Sequence, residues 1–337
     1  MKNKFLRLGQ IFFGLIILVF FVYVFFNFAE IKKIPEILGQ VKLYFLIPLL
    51  ILEFLFVINR GKIFTLLYNY FGVPVNWKEM IKLYLASNTA NVVAPSGGIS
   101  GIVLFMSQAE DQETSKTRVL LINGFYYFIG YIDLAIILIV GISYLAYLEK
   151  LNSYIIATFI ILLAILFVVG IALMLAKQWQ KLLTIFSEGL IKFINFFLRL
   201  FKMGKIDQEK AEKLGRELIH LRTMLMRTPM VFFRPFGLFL LGNVIEITIL
   251  GLIFLSFGTI INPMILIAGY AIGLLFMLIS ITPSGVGIAE PIMALAFLSM
   301  GIHIELAALV VIIFRIITFW LPLPFGIAVS RKYLVKS

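Results

Sequence analysis

The sequence predicts an all-α polytopic membrane protein. It would have about six full transmembrane helices and two re-entrant broken-helix hairpins in inverted orientation. Three observations carry that prediction. The 337-residue chain is 62% hydrophobic and 14% charged, with mean hydropathy +1.06, where a soluble domain carries about 25% charged residues. Apolar runs long enough to cross a bilayer recur along it. Two further apolar runs are interrupted by Pro-Ser-Gly sequences. This composition excludes a soluble globular enzyme and a disordered chain. There is no Cys, and His is limited to His220 and His303. Disulfides and Cys-ligated metals are therefore excluded, and no metal or cofactor is expected.

A helix needs about 20 apolar residues to cross the hydrocarbon core. Runs at 8–28, 42–58, 119–144, 152–176, 230–257 and 304–330 answer that need, 42–58 being slightly short. The run after Met1–Arg7 is too long for a signal peptide and lacks a small-residue cleavage pattern, so it reads as an uncleaved first helix. Residues 80–109 are broken at Ala94-Pro95-Ser96-Gly97-Gly98, and residues 262–302 at Thr282-Pro283-Ser284-Gly285-Val286-Gly287. Each break makes either one kinked crossing or a hairpin that leaves by the face it entered.

Basic residues favour the hairpins, because Lys and Arg concentrate on the cytoplasmic side. With two hairpins, both termini are cytoplasmic and 24 of the 29 Lys and Arg fall inside. Arg60, Lys62, Lys78 and Lys82 are counted in that inner set, and Lys32, Lys33, Lys42 and Lys150 fall outside. A single crossing by 80–109 would export the basic segment 177–228. The expected localisation is the cell membrane, multi-pass. The hairpins enter from opposite faces, which is the pattern of an inverted-topology repeat.

Residues 1–337 read as one integral membrane domain. The first half, 8–176, holds the hairpin 80–109, and the second half, 229–330, holds the hairpin 262–302. Between them, 177–228 reads as a basic amphipathic helical hairpin on the cytoplasmic face. Its polar stripe runs through Lys181, Thr184, Glu188, Lys192, Asn195, Arg199 and Lys202, and Gly204 makes its turn. Such a segment suits an anionic leaflet, with a plain linker as the simpler reading. The net charge of +12 is then a topology signal, and no nucleic acid is expected.

Ionisable residues inside spans are costly and mark functional sites by default. Five are expected there: Glu53, Asp133, Glu246, Glu290 and Arg315, of which Arg315 alone is basic. Glu53 is placed near the inner interface, close to Arg60. Arg315 has two readings. It pairs with Glu290, Asp133 or Glu246 to hold the bundle together, or its planar guanidinium binds two oxygens of a lipid phosphate. The two can alternate. The breaks add a second anion device, since backbone N–H groups at the start of a half-helix are unpaired. Ser96, Ser100 and Ser284 add hydroxyls. The candidate headgroup-binding residues are therefore Arg315, Pro95, Ser96, Gly97, Gly98, Pro283, Ser284, Gly285, Gly287 and Glu290. Asp133 and Glu246 serve as charge partners or proton carriers. Asn88, Asn91, Asn123 and Asn243 either line the same cavity or bond between helices. Tyr126, Tyr127 and Tyr131 read as packing aromatics. There is no H-E-x-x-H zinc site and no phosphate-binding P-loop, and no catalytic residue is expected.

The segments 91–98 and 283–290, followed by Gly301 and Arg315, resemble the lysylphosphatidylglycerol synthase transmembrane family. It is also called the flippase-like domain family, and it includes the membrane part of the bacterial multiple peptide resistance factor. The resemblance covers roughly residues 8–330. It implies a polytopic fold with re-entrant elements and the handling of phospholipids, aminoacylated phosphatidylglycerol being the best-known cargo. Pro283, Gly287, Glu290 and Arg315 match the family's second-half motif, and Pro95 and Asp133 match the first half. Many members carry an acid and a basic residue soon after the first Pro-Gly element. Here those places read Ile99, Ser100, Gly101 and Ile102. A soluble aminoacyltransferase domain is expected to be absent, and synthase activity with it.

The leading expectation is a lipid transporter, energy-independent or gradient-coupled. It would move an anionic or aminoacylated phospholipid, or a lipid-linked anion, between leaflets. The alternative is a non-transporting membrane partner that recruits or regulates a lipid-modifying or glycosyl-transferring enzyme through 177–228. A third reading is an intramembrane enzyme acting on lipid headgroups. The expected partners are anionic membrane phospholipids and, in the alternative, a membrane enzyme.

Overall fold

The computed structural model describes residues 42–93, 98–108, 116–151, 223–280 and 282–334, with Leu221 and a few positions between 156 and 164. The expected span 8–28, the break residues Pro95, Ser96 and Gly97, and most of 152–176 and 177–228 lie outside the described residues. Among the described residues every regular element is a helix. They are α1 (Leu46–Tyr70), α2 (Trp77–Val93), α3 (Ile99–Gln108), α4 (Lys116–Tyr147), α5 (Met230–Ser256), α6 (Pro263–Ile279), α7 (Ala289–Ser299), α8 (Ile304–Arg315) and α9 (Pro322–Leu334). A π-turn over Ile316–Trp320 joins α8 to α9.

Among the described residues, three helices are long and apolar enough to cross a membrane: α4, α5, and the continuous stretch Ile304–Ser330. Helices α3, α6 and α7 are apolar but shorter. The start of α6 shows local sequence at work. Pro263 opens the helix and the Asn262 side chain accepts the Met264 N–H at 2.9 Å, which meets one of the unpaired N-terminal donors.

Helix α1 differs from its sequence expectation. The apolar run ends at 58, yet the helix continues to Tyr70. Its buried stripe is Leu49, Glu53, Phe56, Arg60, Ile63 and Leu67, spaced by three and four as an inward helix face requires. Arg60 is thus a buried helical residue, not a loop cation, and Glu53 is buried on the same stripe. On the opposite side Ile47, Ile51 and Phe54 are exposed, which suits contact with lipid tails.

The halves grip each other reciprocally. α2 packs on α3 and α6 packs on α7. The helix leading into each break also packs on the other half, α2 against α9 and α6 against α4, while α1 lies along α5. Glycine sets the closeness of the first cross-pair. A Cβ at Gly326 of α9 would run into Thr89 Oγ1 and the Leu85 carbonyl of α2. The partner pair is similar, since a Cβ at Gly141 of α4 would lie 3.1 Å from Ala268 Cα of α6. At one end Tyr333 of α9 donates to Glu79 Oε2 of α2 at 3.1 Å, and Lys82 holds Glu79 Oε1 at 2.7 Å.

The core divides accordingly. One cluster centres on Phe64, which stacks on Phe105 at 4.6 Å and on Tyr126 at 4.1 Å. A second gathers Phe254, Phe297 and Val310, with Leu49 and Phe56 of α1 built into it, and two small ones lie around Leu138 and Leu145.

Candidate functional site

A cavity of about 430 Å3 lies where the two halves meet. Arg315, at the last position of α8, forms its second-half wall and is 8% exposed. Its Nε donates to Glu290 Oε1 at 2.8 Å and its Nη2 to the Ser284 carbonyl at 2.9 Å. The guanidinium carbon sits 4.6 Å from the centroid of the Phe319 ring. The π-turn follows directly, closed by the Leu321 N–H on the Ile316 carbonyl at 2.9 Å, and it carries Phe319.

The second break supplies the rest of this wall. Ser284 has φ 50° and ψ 27°, the left-handed region that a residue with a Cβ rarely adopts. The turn it makes holds its carbonyl against Arg315. Gly285 follows at φ 73°, and a Cβ there would lie 2.9 Å from Met277 Cα. Glu290, in the first turn of α7, accepts the Gly287 N–H on Oε2 at 2.7 Å. The anion seat at this half-helix is therefore filled by the protein's own carboxylate, and that carboxylate is the acid that Arg315 selects.

The first-half wall is tied differently. Gly98 has φ 98°, and a Cβ there would strike the Tyr127 ring. The Tyr127 hydroxyl donates to the Gly98 carbonyl at 3.3 Å, and Asn91 Nδ2 reaches the same hydroxyl at 3.4 Å. Asn91 Oδ1 accepts the Gly101 N–H at 2.7 Å, capping the start of α3 with a neutral amide.

Between the walls runs a polar chain across three helices. Asn243 Nδ2 of α5 faces both oxygens of Asp133 of α4, at 2.8 and 2.7 Å. The Tyr270 hydroxyl of α6 lies 2.6 Å from Glu246 Oε2 and 3.1 Å from Asn243 Oδ1. Its single proton serves the shorter contact. Asp133, Asn243 and Tyr270 are 4%, 2% and 2% exposed. Such groups persist at that burial because each has a partner.

Arg60 of α1 completes the lining. Its guanidinium carbon lies 4.6 Å from the Phe56 centroid and 4.8 Å from that of Phe239. Its Nη1 has no hydrogen-bond partner, and neither has Glu53 Oε2.

Residues 11–326 match the family described as the lysylphosphatidylglycerol synthase TM region. The chain belongs to that family. A UPF0104 membrane protein of Methanocaldococcus jannaschii is 24% identical over 321 residues, 93% of this chain and 91% of the relative. Another from Pyrococcus horikoshii is 34% identical over 88 residues, 25% of this chain and 26% of the relative. One from Methanothermobacter thermautotrophicus is 25% identical over 210 residues, 52% of this chain and 62% of the relative. No solved structure matches the chain.

In this lysylphosphatidylglycerol synthase TM-region protein, the cavity brings together Arg315, Ser284, Glu290, Gly98, Asp133 and Glu246 from the sequence-derived set. Pro283 and Gly285 belong to the turn that precedes α7, and Gly285 and Gly287 do not line the cavity. Pro95, Ser96 and Gly97 lie outside the described residues. Asn88, Asn91 and Asn243 line the cavity, as do Tyr126, Tyr127 and Tyr131. Asn123 instead bonds to Tyr68 at 3.2 Å and to the Val119 carbonyl at 2.9 Å. Arg60 is the residue the sequence reading misplaced, and Arg315 is not the only buried cation. The available signal was spacing, since Glu53, Phe56 and Arg60 fall on one helical face.

Proposed function

We propose that this membrane protein passes phospholipid headgroups from one leaflet to the other, with the central cavity as a polar station on the way. The cargo is an anionic or aminoacylated phospholipid. The observation that carries this reading is a single cavity, between two interlocked halves of an apolar chain, lined by two guanidinium groups and three carboxylates. Moving a polar headgroup through hydrocarbon costs several kcal/mol when nothing replaces its hydration. Groups that donate and accept inside the bundle lower that barrier, while the acyl chains stay against the apolar outer faces. Arg315 exchanges its bond to Glu290 for one to the headgroup phosphate. The chain from Asp133 to Glu246 balances the charge that this exchange moves. The resemblance of the chain to a phospholipid-handling family agrees with this cargo class.

The test is lipid movement in proteoliposomes carrying fluorescent phosphatidylglycerol, with a membrane-impermeant quencher outside. Wild type should exceed the protein-free rate. Arg315→Ala should slow it by about tenfold or more, the value of one charge-assisted hydrogen bond. Wild type and Arg315→Ala both moving lipid at the protein-free rate would defeat the proposal for that cargo.

A further inference from the structure

We infer that Arg60 is an anion subsite inside the cavity, shaped to take two oxygens of a phosphate ester. The inference deepens the transport reading and rests on it for the lipid nature of the ligand. Four observations support the subsite. Arg60 is only 9% exposed, and its Nη1 donor meets no acceptor. Its guanidinium carbon lies near two aromatic rings, 4.6 Å from the Phe56 centroid and 4.8 Å from the Phe239 centroid. Ring contacts attract a guanidinium without accepting its N–H groups as a hydrogen-bond acceptor would. A guanidinium edge is the fork that pairs with two oxygens of a phosphate, which a lysine point charge cannot imitate.

Room for the fork comes from Gly242, where a Cβ would stand 3.2 Å from Arg60 Nη2. The fourth observation concerns the acids. Each carboxylate lining the cavity has found another donor: Asp133 has Asn243, Glu246 has Tyr270, and Glu290 has Arg315 and the Gly287 N–H. Glu53 lies on the same helix face with one oxygen unpartnered and makes no ion pair with Arg60. Arg315 must give up a protein partner to bind a ligand, whereas the Arg60 Nη1 donor has none to give up. Asn88 and Tyr84 line the same space and suit the hydroxyl or ester oxygens beside a phosphate.

Calorimetric titration of the detergent-solubilised full chain tests this. The probes are dihexanoylphosphatidylglycerol, dihexanoylglycerol without the phosphate, and inorganic phosphate. Wild type should prefer the phospholipid over the phosphate-free lipid by about tenfold or more. Arg60→Gln should lose that preference, and Arg60→Lys should recover part of it. Inorganic phosphate that displaces the phospholipid shows that the subsite takes phosphate from either source. Failure to displace it, with the preference intact, restricts the subsite to lipid-borne phosphate. Two results overturn the inference: equal wild-type affinity for the two lipids, or an unchanged preference in Arg60→Gln. The wild-type comparison stands even where the Arg60→Gln protein fails to fold. A wild type that shows the preference but does not move lipid defeats the transport reading and leaves the subsite. One that moves lipid while Arg60→Gln keeps the preference does the reverse.

Discussion

Removing the Glu290 carboxylate should unsettle the second break more than any other single truncation in the cavity wall. Glu290→Ala deletes two bonds at once, the 2.8 Å contact from Arg315 Nε and the 2.7 Å contact from the Gly287 N–H. The side chains of the pair are 10% and 15% exposed, so water replaces little of what is lost. A hydrogen bond to a charged group contributes about 1.5–3 kcal/mol, and breaking one partner of a buried ion pair costs about 3–5 kcal/mol. The Ser284 carbonyl stays on Arg315 Nη2 at 2.9 Å, which places the expected loss near the lower end, about 3 kcal/mol. Arg315→Met should cost less, because the Glu290 carboxylate it strands still accepts the Gly287 N–H. The double variant should therefore be more stable than the sum of the singles by about 2 kcal/mol. The measurement is a reversible denaturant titration in mixed micelles, followed by helicity, on all four proteins. A Glu290→Ala loss below about 1 kcal/mol, or a coupling within about 0.5 kcal/mol of zero, would refute the view that this pair is buried and mutually dependent.

Two further outcomes concern the frame. Gly326→Ala pushes a methyl group between Thr89 Oγ1 and the Leu85 carbonyl and should destabilise the fold by about 1–3 kcal/mol, as overpacking does. Gly237→Ala, in α5 with nothing near its Cβ, should be neutral or stabilising by up to about 1 kcal/mol, so the same titration distinguishes contact from helix propensity. Tyr333, beyond the last apolar span, has its ionisation pushed up to about 12 by burial first and by Glu79 second. The folded state thus favours the neutral phenol. Its contribution is whole below the ordinary tyrosine value of about 10 and is lost as pH rises through about 12. Tyr333→Phe should flatten that alkaline loss in stability measured against pH, and an unchanged slope would contradict the assignment.

Composition and run length made the helical membrane fold legible, and the second Pro-Ser-Gly interruption marked the turn between α6 and α7. The pairing of Arg315 with Glu290 was within reach because Glu290 lies seven residues after Pro283, one helical start beyond the break. What stayed hidden depended on contacts between distant helices. Asn243 offered nothing in sequence to distinguish a bridge to Asp133 from any other amide between helices. Tyr270 was invisible for the same reason: a tyrosine in an apolar run reads as packing until an acid stands 2.6 Å away. Arg60 was lost to a different cause. Charge ends an apolar run in a hydropathy reading, whereas a helix face tolerates a charge every other turn if the bundle can receive it.

How Arg60 is received is what sets this cavity apart from a structural ion-pair network. A bundle built for stability alone would turn Arg60 toward Glu246 or Asp133, since both line the same space and an unmet buried donor costs about 1–3 kcal/mol. A well-packed apolar residue at position 60 would be no worse, because buried pairs seldom improve on one. Instead neutral groups, Asn243 and Tyr270, satisfy the acids, and two phenyl rings lie against the guanidinium. Arg60 feels the charge of Glu246, Glu53 and Asp133 nearby, yet closes a salt bridge with none of them. Local rules broken at the centre of an otherwise consistent fold are the mark of a site under functional demand. A buried guanidinium with an unmet donor is the feature on which the proposed subsite for a doubly coordinating anion rests.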